Sequence, residues 1–229
     1  MNNIEKNNQV ILKGKCETRP TFSHSVMGEG FYEFILSVPR LSNETDFLPI
    51  TISERIIDKL GDFSSEIGIV GQLRSYNKIE GEKSKLILTI FARDIISADE
   101  VKFTNQINLT GFVCKEPIYR TTPFGREITD VLIAVNRSYN KSDYLPCIAW
   151  GRNARFTGDL EIGNKIELIG RIQSRKYTKK INDNEIITKT AYEVSISNII
   201  LQKEENNETK LDSALELNKI NSLSIVGTI

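Results

Sequence analysis

Apolar and polar residues alternate along much of this chain with a period of two, the spacing of strands that bury one face. The clearest stretch is 144–152, YLPCIAWGR. Leu145, Cys147 and Ala149 fall on one side, small and apolar like a core. Tyr144, Trp150 and Arg152 fall on the other. The same reading predicts strands over 106–113, 128–137, 143–151, 164–177 and 186–200. Turn signals separate them at Pro123-Phe124-Gly125, Asn140-Lys141-Ser142 and Asn182-Asp183-Asn184. Between the third and fourth strands, Asn153–Gly163 leaves room for one short helix. Five strands with a helix after the third is the order of an OB-fold barrel.

The pattern occurs twice. Gln9–Gly14 (QVILKG) has the shape of Gln106–Gly111 (QINLTG), 97 residues on. The same offset pairs Pro20 with Pro117, Leu36-Ser37-Val38 with Ile133-Ala134-Val135, and Arg40 with Arg137. It also pairs Asp46-Phe47-Leu48-Pro49 with Asp143-Tyr144-Leu145-Pro146, and Arg55 with Arg152. Ile67–Gly71 matches Ile166–Gly170 after two extra residues in the second copy. The first copy's helix is predicted at 54–61, ERIIDKLG, closed by Gly61. A period near 95 residues is too long for a solenoid and suits two like domains. The expected fold is therefore all-β: two tandem five-stranded OB-fold barrels, each with a short helix between strands three and four. The divisions are 1–102, 103–203 and a C-terminal tail, 204–229, in which Leu211, Leu215, Leu217 and Ile220 give a short amphipathic pattern.

Composition narrows the chemistry. Lys and Arg balance Asp and Glu at 30 each, but unevenly. Residues 1–104 carry 13 basic against 15 acidic side chains, 105–203 carry 15 against 10, and 204–229 carry 2 against 5. A basic module between two mildly acidic ones points to a polyanion on the second copy. His24 is the only histidine, so a Ser-His-Asp or Cys-His centre would rest on it alone, with a turn residue as the plainer reading. Cys16, Cys114 and Cys147 have no CxxC spacing. No metal, no cofactor and no catalysis are expected. No apolar run reaches about 20 residues, and MNNIEKNNQV lacks the pattern of a signal peptide, so a cytoplasmic protein with no membrane partner is expected.

Gln106–Pro117 (QINLTGFVCKEP), Ile133–Arg137 (IAVNR), Tyr144–Ala154 (YLPCIAWGRNA) and Ile166–Tyr177 (IELIGRIQSRKY) together resemble the bacterial single-stranded DNA-binding protein family. The resemblance covers about 95 residues closely and, through the repeat, the first copy more loosely. It implies that Tyr144, Trp150 and Tyr177 stack on bases and that Arg152, Arg175 and Lys176 lie along the strand. Arg137, Lys179 and Lys180 join the candidate contacts, as do Phe47 and Arg55 from the first copy. Ser53 stands where the second copy has Trp150, and Glu54 where it has Gly151, so the first copy's binding face is expected to be degenerate. The family's tail commonly closes on an acidic tip with proline-phenylalanine; here the residues are SLSIVGTI.

The function expected is non-enzymatic binding of single-stranded DNA with little sequence preference, protecting it in replication, recombination or repair in a bacterial, nucleoid-associated setting. A homodimer presenting four OB domains is implied by analogy, with replication or repair proteins as possible partners. The alternative is an accessory subunit of a replication-restart or plasmid or phage replication complex, with the first copy as a docking module. An oligosaccharide-binding barrel is a third reading, because the fold alone does not choose a ligand.

Overall fold

A computed structural model describes residues 6–61, 65–81, 83–182 and 185–202, with backbone only at 80, 83, 179–182, 185 and 186. The tail 204–229 lies outside the described residues. The first half holds β1 (Asn8–Cys16), β2 (Thr21–Val26), β3 (Glu29–Pro39), β4 (Thr45–Ser53), the short helix α1 (Glu54–Ile57), β5 (Glu66–Glu80) and β6 (Lys83–Ser97). The second repeats the order: β7 (Asn105–Val113), β8 (Ile118–Thr121), β9 (Glu127–Arg137), β10 (Lys141–Trp150), α2 (Arg152–Gly158), β11 (Lys165–Asn182) and β12 (Glu185–Leu201). Five strands wrap each barrel, and a sixth short strand, β2 or β8, edges it against β3 or β9. These edge strands escape the periodicity because every residue in them is exposed, which leaves no buried face to alternate with. Among the described residues, no helix is long and apolar enough to cross a membrane.

Alternation builds each core. On β4, Leu48, Ile50 and Ile52 point inward; on β10, Leu145, Cys147 and Ala149 do the same. They meet Val10, Leu12 and Ile69 in the first barrel and Ile107, Leu109 and Ile172 in the second. Burial of the Cys147 thiol pushes its pKa far up, so it behaves as a small apolar filler. Closure depends on a glycine at the bend of the first strand. β1 pairs with β5 and then turns to β3; β7 pairs with β11 and then turns to β9. A Cβ on Gly14 would sit 2.2 Å from the Ser37 carbonyl oxygen, and one on Gly111 2.6 Å from that of Ala134.

The barrels join through antiparallel pairing of β1 with β7, from Asn8 opposite Leu109 to Leu12 opposite Asn105, giving one continuous 12-stranded sheet. The seam has near twofold symmetry. The Asn8 amide donates to the Leu73 carbonyl (2.7 Å) and its oxygen accepts the Leu73 N–H (2.9 Å). Asn105 does the same to Ile172, at 2.7 and 2.9 Å. Across the seam, buried Asp143 accepts the Ser75 N–H at 2.7 Å, and the Tyr144 N–H donates to Ser75 Oγ at 2.7 Å. Reciprocally, buried Asp46 accepts the Ser174 N–H at 2.6 Å, and the Phe47 N–H donates to Ser174 Oγ at 3.2 Å. Two arginines neutralise each carboxylate: Arg74 and Arg137 at Asp143, Arg40 and Arg171 at Asp46. Of each pair one arginine comes from each barrel, so neither carboxylate is satisfied by its own barrel alone.

Candidate nucleic-acid interface

The outward face of β10 carries two exposed rings. Tyr144 is 47% exposed and Trp150 39%, with Pro146 and the buried Ile148 between them on the same side. Six residues of strand separate the two rings by about 20 Å at their Cα atoms. Register extends this face across the sheet. Ile148 pairs with Ser195 of β12, Glu193 lies opposite Gln173 of β11, Ala191 opposite Arg175 and Lys189 opposite Tyr177. Tyr177 and Arg175 therefore share the face of Tyr144 and Trp150, and the Arg175 guanidinium lies 6.0 Å from the Tyr177 ring centre. Lys189 faces the same way; in the sequence it reads equally as part of a solvated hairpin tip or as a phosphate contact. Its signal was available in the pairing of the two long strands.

Strand alternation turns Lys176 to the opposite side of β11 from Arg175 and Tyr177. The side chains of Lys179 and Lys180 lie outside the described residues. Arg152 does not continue the strand: β10 ends at Trp150, and Gly151 turns the chain with φ 53° into α2, which Arg152 opens, exposed. The turn needs glycine, because any Cβ would be strained at that φ. Arg137 is engaged at the seam, 3.2 Å from Asp143. Of the first-barrel candidates, Phe47 is exposed on β4 beside the seam, and Arg55 pairs with Glu29 at 2.9 Å.

The acidic groups of this face are held by partners. Glu193 accepts from Gln173 Nε2 at 2.7 Å and lies 3.6 Å from Arg175. On β9, Asp130 lies opposite Ile148 and pairs with Arg120 at 2.7 Å; on the reverse side of that strand, Glu127 meets Arg155 of α2 at 2.7 Å and accepts from the Tyr119 hydroxyl at 2.7 Å, which hold its carboxyl down at about 2. A phosphate chain crossing here meets few uncompensated carboxylates. Tyr139 adds a further aromatic: it is 94% exposed in the turn between β9 and β10, with φ 62°. A tyrosine held in the left-handed region costs about 1–2 kcal/mol. Among the described residues, no group of three or more His, Cys, Asp or Glu could hold a metal ion. The arrangement can stack flat rings and neutralise anions.

Residues 104–202 match the family model of the single-strand binding protein family. Ninety-one residues are 33% identical to single-stranded DNA-binding protein B of Bacillus subtilis, covering 37% of this chain and 80% of that protein. A stretch of equal length is 32% identical to the single-stranded DNA-binding protein of Clostridium tetani, again covering 37% of this chain but 63% of that protein, less than two thirds of its length. Among solved structures, the single-stranded DNA binding protein of Thermus aquaticus superposes with a TM-score of 0.66 at 20% identity, over 86% of this chain and 93% of that one. That likeness extends the shared fold across both barrels.

Proposed function

The chain belongs to the single-strand binding protein family, and we propose that it binds single-stranded DNA by stacking bases on Tyr144, Trp150 and Tyr177 while Arg152, Arg175 and Lys189 neutralise phosphates. The observation that carries this is the common face of Tyr144, Trp150, Arg175 and Tyr177, assembled from two strands by register, with Tyr144, Trp150 and Arg175 exposed and Tyr177 part-exposed. Every base has a flat π-face, so such a surface holds a strand with little regard to sequence. In this role the protein covers single strands opened during replication, recombination or repair in the cytoplasm. We extend the proposal to a homodimer bringing four barrels together, which light scattering would read as twice the 26.0 kDa of one chain.

Fluorescence anisotropy of a labelled thymidine oligonucleotide tests the reading. Base stacking in single-strand binders is worth about 1–3 kcal/mol per base, so Tyr144→Ala and Trp150→Ala should each lower affinity by about 5- to 150-fold. Unchanged affinity in variants that remain folded would remove these residues from the site.

A further inference from the structure

The first barrel lacks a counterpart of Trp150, yet its equivalent face is rich in rings. His24 of β2 stacks on Phe31 of β3, with centroids 5.2 Å apart and planes 18° apart. Phe31 lies 5.8 Å from Phe91 of β6, and the Arg93 guanidinium sits 5.2 Å over the Phe91 ring. Tyr76, 47% exposed, borders the same cleft of about 490 Å³.

Register shows how this set relates to the second barrel. Phe31 lies directly across from Ser53, and their repeat equivalents are Ile128 and Trp150. Each cross-strand pair holds one aromatic and one smaller residue, on opposite strands in the two barrels. The neighbouring pair adds a ring that the second barrel lacks: Thr51 with Phe91 in the first barrel, Ile148 with Ser195 in the second. The ring surface has changed strands while staying on the same face of the sheet.

Charge gives this cleft a direction. Arg74, Arg93 and Arg137 line one small cavity beside it, where Arg74 and Arg137 pair with Asp143. Arg93, besides lying over Phe91, donates a hydrogen bond to Gln72 at 3.2 Å. Glu33 lines another part of the cleft, accepting from Ser23 Oγ at 2.8 Å, and repels a phosphate there. The faces are contiguous, because the Tyr144 N–H bonds Ser75, one residue from Tyr76.

We propose that this cleft is a second single-strand site, seating a nucleobase against Phe31 and Phe91 with its phosphate toward Arg93, and that one strand runs across the seam from Tyr144 into it. The proposal rests on the single-strand reading of the second barrel. The probe is oligo-dT of about 30 nucleotides, enough for two barrels at about 4–16 nucleotides each. In a variant carrying Phe31→Trp and Trp150→Phe, the one remaining tryptophan reports the first barrel, and its emission should be quenched on saturation. A second arm does not depend on that variant folding. His24→Ala with Arg93→Ala, both exposed positions, should lower the 30-mer's affinity at least about tenfold (about 1.4 kcal/mol), while an oligomer of about 8 nucleotides keeps its affinity at Trp150. Unmoved emission from the tryptophan introduced in place of Phe31, or unchanged 30-mer affinity in the second arm, overturns the first-barrel site while Trp150 quenching in the unsubstituted protein leaves the second barrel's site standing. No quenching of Trp150 by either oligomer overturns both.

Discussion

Replacing Asp143 by alanine should loosen the union of the two barrels. The carboxylate is fully buried; Arg74 beside it is 17% exposed and Arg137 29%. Burial lifts its pKa above the ordinary aspartate value even with two guanidiniums at hand. Because the folded value is raised, this carboxyl favours the fold most below its unfolded pKa and loses that contribution as pH climbs through its folded one. Burial likewise brings Arg74 down to about 10, where it is still charged at neutral pH. The intact cluster thus adds little net stability, and the cost lies in breaking it. Alanine leaves the Ser75 N–H without its acceptor and two half-buried cations facing each other, which costs about 3–5 kcal/mol. Asparagine can still accept the Ser75 N–H, so Asp143→Asn should cost about 1.5–3 kcal/mol. Urea denaturation followed by Trp150 emission measures both. At roughly 2–3 kcal/mol per molar, the alanine midpoint should fall by at least about 1 M with little change in slope. A loss under about 1 kcal/mol for Asp143→Ala would refute the seam as described.

Two further expectations come from single groups. Glu127 is held at about 2 against 4.5 by Arg155 and Tyr119, so its contribution to docking α2 on β9 is fully present above its unfolded pKa and is lost as pH falls from 4.5 toward 2. Thermal midpoints across that range should fall more steeply in the native protein than in Glu127→Gln. Cys147, buried with its thiol pushed up, should resist a thiol reagent at neutral pH until urea unfolds the second barrel; modification at the rate of a free thiol in native buffer would contradict its burial.

Much of the barrel architecture is legible in the sequence because the cores are built from strict alternation. Leu145, Cys147 and Ala149 against Tyr144 and Trp150 announce both a strand and its two faces. What stays hidden has physical reasons. β2 and β8 bury nothing, so no period marks them. Arg152 looks like the next residue of the strand because period two carries on past Trp150; only the φ of Gly151 shows that the chain has turned. Asp46 and Asp143 align in the repeat, yet their partners Ser174 and Ser75 are 128 and 68 residues away. The aromatic set of the first barrel is invisible to a position-by-position comparison, which finds serine for tryptophan at 53. Phe31 takes its meaning from the strand beside it, and that neighbour is a matter of register.

The central claim, that a strand of DNA lies across Trp150, has a direct reporter, because this is the chain's only tryptophan. Titration of the unsubstituted protein with unlabelled oligo-dT should quench its emission to saturation. The apparent affinity should fall linearly in log–log form as salt rises, since phosphate contacts release counterions. Emission that does not change at micromolar oligonucleotide in low salt would contradict the account.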